Sequence, residues 1–385
     1  MKKVFLKVLA VLLLISLISL PGSISAVTAA KQTINLGVVS PFTGENAEFG
    51  TNLRDGVNIA IDQLKAQGKL KNYDIKLVCE DDKGNPTAAV TSVNKLLFND
   101  KVMAIIGHVN STNTLATMGI TQKYQTPQFA PCWSVKVTAG NNPYIFRVTA
   151  SDGIAATTMV NYLLNKRKMT KIAIINENDD FGRGGMEMFS QELKLHKLSP
   201  VAVESYTRGD KDFSGQLLKI SAQKPEAVLI WGIYVETAAI AQQIRQLFKY
   251  DVQILGSSGM APPPYRNIAG KAADGSIYVA AWASADSSEL GKKFITDYQT
   301  KYNKAPSDIS ARGYDAMQII SLALDKMGNV STKNEMKFKN KLRDAISKVK
   351  YQGLQGSYSF SPTGEGLKKC LLVQIKDGKD NIVTE

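Results

Sequence analysis

The chain of 385 residues carries 44% apolar and 21% charged side chains and a formal net charge of +13. It is too long for one small core and suits two domains, and its composition excludes disorder, collagen and coiled coil as its general class. Three cysteines, Cys79, Cys132 and Cys370, with no CxxC, exclude a disulfide framework, since at most one bridge could form.

In chain order, residues 1–30 stand apart. Lys2 and Lys3 precede an apolar run from Val8 to Leu20, which Pro21 and Gly22 break, and small residues lead on to Ala30. This is the pattern of a secretory leader, with cleavage near Ala29 or Ala30. The run is well short of the ~20 residues that a bilayer span needs, and no Cys stands at the cleavage region to carry a lipid. The mature chain is expected to be exported and soluble. Loss of Lys2, Lys3 and Lys7, and of no acid, lowers the formal net charge from +13 to +10. The densest basic cluster, residues 165–171, lacks interleaved aromatics and reads as a solvated turn, so nucleic acid is not an expected partner.

Apolar strands and amphipathic helices then alternate. "INLGVV" (34–39), "IKLVCE" (75–80), "VMAII" (102–106) and "PQFAP" (127–131) read as strands separated by helices. Cys79 falls inside the second of these and is expected to be a buried thiol. A second series begins after Arg147 with "KIAIINE" (171–177), "VAVESY" (201–206), "AVLIWG" (227–232) and "VQILGS" (252–257). Two such series predict an α/β fold of two lobes, each with a parallel sheet covered on both faces. Three helices follow nearly in a row (287–303, 309–327, 334–349). "GSYSF" (356–360) and "CLLVQIKDG" (370–378) read as a closing β-hairpin.

Ligands of open parallel sheets sit beyond the carboxyl ends of the strands, so the strand-to-helix junctions are the places to look. "GHVNSTNT" (107–114) crowds Asn110, Ser111, Thr112, Asn113 and Thr114 at a helix start, where one capping residue would suffice. Unpaired N–H groups, the helix dipole and hydroxyl donors, with no lysine or arginine among them, suit a carboxylate. "PCWS" (131–134) would lie beside it, with Trp133 at the loop tip. Phe49, Phe181 and Tyr234 stand at the other junctions and suggest aromatic walls.

Signals for an enzyme are weak. His108 lacks an orienting partner in sequence and reads as a structural hydrogen-bonder, and His196 lies in an exposed basic segment. GxSxG, Walker A, HExxH and EF-hand patterns are absent. "FGRGG" (181–185) reads as a turn into a helix, and the acids of "EDDKGNP" (80–86) as a polar strand end. No cofactor and no metal are expected.

Taken together, "GVVSPFTGENAEFGTNLRDGVNIAIDQLKAQG", "EDDKGNPTAAV", "IIGHVNSTNT", "NENDDFGRGGMEMF", "DKDFSGQL" and "DISARGYDAMQ" resemble, in order and spacing, the branched-chain amino-acid substrate-binding proteins of bacterial ABC importers, which have the type I periplasmic binding protein fold. The resemblance spans about residues 33–378. It implies two Rossmann-like lobes with parallel central sheets, joined by a three-crossover hinge near 147–150, 279–283 and 351–355. Lobe 1 would be 31–149 plus 282–352, and lobe 2 would be 150–280 plus 353–385. A ligand would be trapped by closure of the lobes. Carried over by motif, Ser111 and the Ser134 hydroxyl would hold a ligand carboxylate and the Cys132 carbonyl its ammonium. Phe49, Phe181 and Tyr234 would form walls, and Val109, Asn110, Trp133 and Ile309 would shape the pocket. Two departures stand out. Ser258 occupies the position where amino-acid binders place an acid for the ammonium, and Trp133 stands where a small residue is usual. Glu236 or Asp180 could supply the missing charge.

The implied function is capture of a small carboxylate-bearing ligand, an amino acid of branched-chain or other apolar kind, for delivery to an ABC permease and its ATPase subunits. The alternatives are import of an aromatic carboxylate, or an extracellular ligand-sensing module for a receptor. A monomer without enzymatic activity is expected.

Overall fold

In the computed structural model, which describes residues 31–286 and 288–383, strands and helices alternate from the first described residues on. The leader read over 1–30, with its cleavage site, lies outside the described residues. The first series runs β1 (Gln32–Ser40), α1 (Ala47–Ala66), β2 (Tyr73–Asp81), α2 (Pro86–Phe98), β3 (Ala104–Ile106), α3 (Ser111–Lys123), β4 (Gln128–Ala130) and β5 (Ile145–Arg147). Its strands form one parallel sheet in the order β2-β1-β3-β4-β5. β3 and β4 are buried throughout, as strands covered on both faces should be. β2 is an edge strand, and there Cys79 is exposed, which corrects the expectation of a buried thiol. The winding reverses between β1 and β3, so the loops after those two strands part and leave a crevice.

The second series runs α4 (Asp152–Asn161), β6 (Ile172–Glu177), α5 (Asp180–Leu195), β7 (Ala202–Tyr206), α6 (Ser214–Ala222), β8 (Ala227–Trp231), α7 (Tyr234–Leu247), β9 (Gln253–Gly256), α8 (Pro263–Ala269) and β10 (Ile277–Ala280). The chain continues through α9 (Glu289–Tyr302), α10 (Asp308–Met327), α11 (Glu335–Ile346), β11 (Lys350–Gly353), β12 (Gly356–Ser359), β13 (Leu371–Lys376) and β14 (Lys379–Val383). The second sheet has the order β14-β13-β10-β9-β8-β6-β7. It is parallel except for β13 and β14, which add antiparallel at one edge. Its winding reverses between β6 and β8.

The expected closing hairpin is differently paired. β12 folds back on β11, and β13 joins β10 and pairs with β14 instead. Asp377 and Gly378 take positive φ of 51° and 71°, the two-residue turn that an Asp-Gly pair favours between strands. "FGRGG" lies inside α5 rather than in a turn. A Cβ on Gly185 would come within 2.0 Å of the Trp231 ring, so the helix needs a glycine to pass that indole.

α10 packs closely on α1. A Cβ on Gly56 would meet the Ser310 carbonyl oxygen at 1.9 Å, and one on Gly313 the Leu53 oxygen at 2.2 Å. α10 also carries a buried polar stripe, Asp308, Arg312 and Asp315, at helical spacing on one face. Asp308 Oδ1 accepts from the backbone N–H of Ala281 (3.2 Å) and Trp282 (3.0 Å). Arg312 pairs with Asp308 and donates from Nη1 to the Pro131 carbonyl at 2.8 Å. Asp315 accepts from the N–H of Leu354 (2.9 Å) and Gln355 (3.0 Å), and Gln355 Nε2 donates to the Val148 carbonyl at 3.0 Å. One helix face thus ties down segments near 148, 281 and 354, each on a stretch where the chain passes between the parts built on the two sheets.

Candidate functional site

The crowded start of α3 divides its polar groups among different tasks. Asn110 is the cap, its side chain accepting from Asn113 N at 3.2 Å. Thr114 Oγ1 donates to the carbonyls of His108 (3.0 Å) and Asn110 (3.1 Å). Thr112 Oγ1 accepts from Asp180 N at 3.3 Å, on the first residue of α5. Ser111 Oγ accepts from Ser134 N at 3.3 Å and lines a narrow cavity beside the helix N-terminus. Both Asn113 side-chain polar atoms are buried without a partner among the described residues.

That cavity lies where the loops from both winding reversals meet. Asn46 and Phe49 reach it from the β1 side, Val109, Asn110 and Ser111 from the β3 side, and Trp133 from the loop after β4. Ile309 and Arg312 of α10 close the same side, and Phe181, Arg208, Ile233 and Ser258 come from the second series. About 40 Å³ is open to the centres of water-sized molecules, room for about three waters. Two lining groups are buried without a partner among the described residues, Asn46 Oδ1 and Trp133 Nε1. A larger open groove of about 980 Å³ lies near α8, β10 and β14. Its ionic pair is complete, Asp380 accepting from Arg266 and from Tyr278 Oη, and none of its lining side chains holds a buried orphan. Two orphaned polar groups distinguish the narrower cavity from the open groove, and buried groups of that kind call for a partner.

Eight of the eleven candidate residues therefore surround one cavity: Phe49, Val109, Asn110, Ser111, Trp133, Phe181, Ser258 and Ile309. The other three stand behind it. The Cys132 carbonyl is taken by Arg147 Nη1 at 2.5 Å and the Ser134 carbonyl by Arg147 Nη2 at 2.6 Å, so the expected ammonium acceptor faces a guanidinium instead. Ser134 Oγ is buried and unpartnered, outside the lining. Tyr234 bonds across to the first series, donating from Oη to the Glu45 carbonyl at 2.7 Å with its ring 5.1 Å from that of Phe49.

Among the lining residues that were not sequence candidates are two arginines, Arg208 and Arg312. Arg312 had a signal, an arginine four residues after an aspartate on an apolar helix. It lies 5.5 Å over the Trp133 ring. Arg208 had none. Its Nε donates to Glu177 at 2.6 Å, its Nη2 to Asp179 at 3.2 Å, and its Nη1 to the Gly84 carbonyl of the first series at 3.4 Å. Burial, with Asp179 adjacent, pushes the Glu177 carboxyl up to about 7. Glu177 Oε2, Glu236 Oε2 and Tyr206 Oη are all buried there without a partner among the described residues. Neither Glu236 nor Asp180 lines the cavity. Glu236 holds Gly209 N at 2.9 Å, and Asp180 is turned to Arg183 and Lys136.

His108 has the partner that its sequence neighbours do not show. Its Nδ1 lies 2.5 Å from Asp82 Oδ2, both side chains fully buried, joining "EDDKGNP" to the β3 junction. Asp81 of the same loop accepts from Phe42 N and Lys83 N at 2.8 and 2.9 Å. These acids brace loops, and among the described residues no group of His, Cys, Asp and Glu could hold a metal ion.

A family model described as periplasmic binding protein matches residues 33–380. The Leu/Ile/Val-binding protein homolog 3 of Brucella melitensis is 25% identical over 91% of this chain and 94% of its own length. A solved leucine-binding protein from Thermotoga maritima is 26% identical with a TM-score of 0.82, covering 91% of this chain and 98% of its own. A solute-binding protein of an ABC transporter from R. palustris, solved with benzoate, shares the fold at 20% identity and a TM-score of 0.82 over 91% of this chain and 95% of its own.

Proposed function

The chain belongs to the periplasmic binding protein family, and from that premise we propose that it captures a small carboxylate-bearing solute and hands it to an ABC permease with its ATPase subunits. The lobes would be 31–149 plus 282–352 and 150–280 plus 353–385, closing on the cavity by rotation about the three passages that α10 ties together. Export with removal of a leader near Ala29 or Ala30, a monomeric working form and the absence of a catalytic step belong to the same reading.

One observation carries it: a serine and a helix N-terminus line a narrow cavity at the winding reversals of both sheets, and the ionised side chains in that lining are arginines. The relatives' names point to leucine, isoleucine and valine and, at the level of fold, to benzoate. A carboxylate is the feature those ligands share. Ser111 and the N–H groups at the start of α3 suit that group, and no carboxylate stands in the lining to repel it. Phe181 and Arg208 would cover it on closure, and Tyr234 would fasten the rim.

The test is titration calorimetry with leucine, benzoate and carboxylates between them in size. At least one should bind, and Ser111→Ala should weaken it about tenfold or more while the melting temperature of the unliganded protein holds. Unchanged affinity in the variant would refute the site.

A further inference from the structure

We infer that the solute held in this cavity carries, besides its carboxylate, an oxygen that accepts the indole N–H of Trp133, and carries no ammonium: a hydroxy- or oxo-carboxylate rather than an amino acid. The inference rests on the carboxylate reading above and names the substrate class within it.

The charge inventory of the lining comes first. Arg208 and Arg312 are its ionised side chains, and no aspartate or glutamate lines it. A desolvated ammonium needs a negative partner or several well-placed acceptors. The acid position is Ser258. The carbonyls of Cys132 and Ser134 each accept from the Arg147 guanidinium, whose charge beside them opposes a second cation. Of the buried acids nearby, Glu177 faces Arg208 and Glu236 holds Gly209 N, and neither reaches the lining. Asn46 Oδ1 is an unpartnered acceptor in the wall, but a neutral amide alone is a poor counterpart for a buried cation.

The second observation is independent of charge. Trp133 is 2% exposed, lines the cavity, and has an indole Nε1 without a partner among the described residues. That nitrogen can only donate. The ring is held in place, with the Arg312 guanidinium 5.5 Å over it and Arg312 itself committed to Asp308 and the Pro131 carbonyl. A fixed, buried donor left unpaired is unfavourable, and a ligand acceptor relieves it. A site built to hydrogen-bond a ligand oxygen rejects the analogue lacking it far more steeply than an apolar pocket rejects a missing methylene.

Calorimetric titration of the purified protein with skeleton-matched carboxylates decides. One series is phenylglycine, mandelate and phenylacetate; the other is leucine, 2-hydroxy-4-methylpentanoate and 4-methylpentanoate. The hydroxy member of at least one series should bind about tenfold or more tightly than both of its partners. Trp133→Phe should remove that preference, so that within the variant the hydroxy acid and the plain acid bind within about twofold of each other, whereas Ser111→Ala should weaken every member that binds and keep the ratio between them. An amino acid binding tightest, or three equal affinities, would overturn the inference and leave the carboxylate reading standing. No binding by any carboxylate would overturn both. Should Trp133→Phe fail to fold by its melting curve, the ratios in the native protein decide alone.

Discussion

The two walls of the cavity differ in how their charge is balanced. On the side of the first sheet, Arg312 faces Asp308 one to one, both fully buried, and the orphaned groups that line the cavity are neutral, Asn46 Oδ1 and Trp133 Nε1. On the side of the second, a single guanidinium, Arg208, faces Glu177 and Asp179, with Glu236 close enough to raise Glu177 further. The orphaned groups in that cluster are ionisable. A balanced wall keeps its shape over a wide pH range. An unbalanced wall changes charge near neutrality, so of the two walls it is the second that should respond to acidity.

The largest expected effect comes from unbalancing the balanced wall. Asp308→Ala leaves Arg312 buried without its counter-charge and frees the Ala281 and Trp282 N–H groups, and should cost about 3–5 kcal/mol of stability, read by chemical denaturation at pH 7. A loss within about 0.5 kcal/mol would show that this wall does not depend on its ion pair.

The opposite experiment relieves the unbalanced wall. Glu177, facing Asp179, Arg208, Glu236 and Tyr206, has its carboxyl raised from the ordinary 4.5 to about 7 by burial first. The folded protein therefore holds that proton more tightly than the unfolded chain. The resulting stability is complete below about pH 4.5 and is lost as the pH rises through about 7. Asp152 and Asp315, pushed up to about 8 and about 6 by burial, slope in the same direction. Glu177→Gln keeps an acceptor for Arg208 and should flatten the decline between pH 5 and 8 by about 1–3 kcal/mol. Denaturation curves that stay parallel to those of the native protein would remove Glu177 from the account.

The smallest effect joins the walls. Tyr234→Phe deletes one hydrogen bond, from Oη to the Glu45 carbonyl, and keeps the ring against Phe49. It should cost about 1 kcal/mol or less and, on the closure reading, appear as a several-fold faster ligand release in stopped flow. An unchanged release rate would show that this bond is no clasp.

How much of this was legible in the sequence follows physical lines. Parallel strands buried on both faces advertise themselves as apolar runs, so both series and their junctions could be read. β5 (Ile145–Arg147) follows β4 with no α-helix between them, so the strand–helix alternation does not single it out, and β13 had a pairing partner, β10, far away in the chain. At the site, residues adjacent in a motif could be placed: Val109, Asn110 and Ser111 follow their strand together. Arg208 could not, because its position depends on acids from a neighbouring strand end, a relation no local pattern encodes. That the Cys132 carbonyl accepts from Arg147 was hidden for the same reason, since the guanidinium reaches it from β5. The His108–Asp82 contact, 26 positions apart, is likewise a product of strand order.

The first turn of α10 has a consequence for anyone altering ligand preference. Ile309 lies in the cavity wall, while its neighbour Asp308 anchors the passage at 281–282, and Arg312, one turn on, lines the cavity and pairs with Asp308. On the closure reading, reshaping the wall there also resets the resting fraction of closed molecules. The measured dissociation constant is the intrinsic one divided by the competent fraction, so a variant at Ile309 mixes two quantities in a single number. Selectivity ratios between two solutes on the same variant cancel the shared factor, and it is those ratios, rather than affinities, that would report what the side chain does.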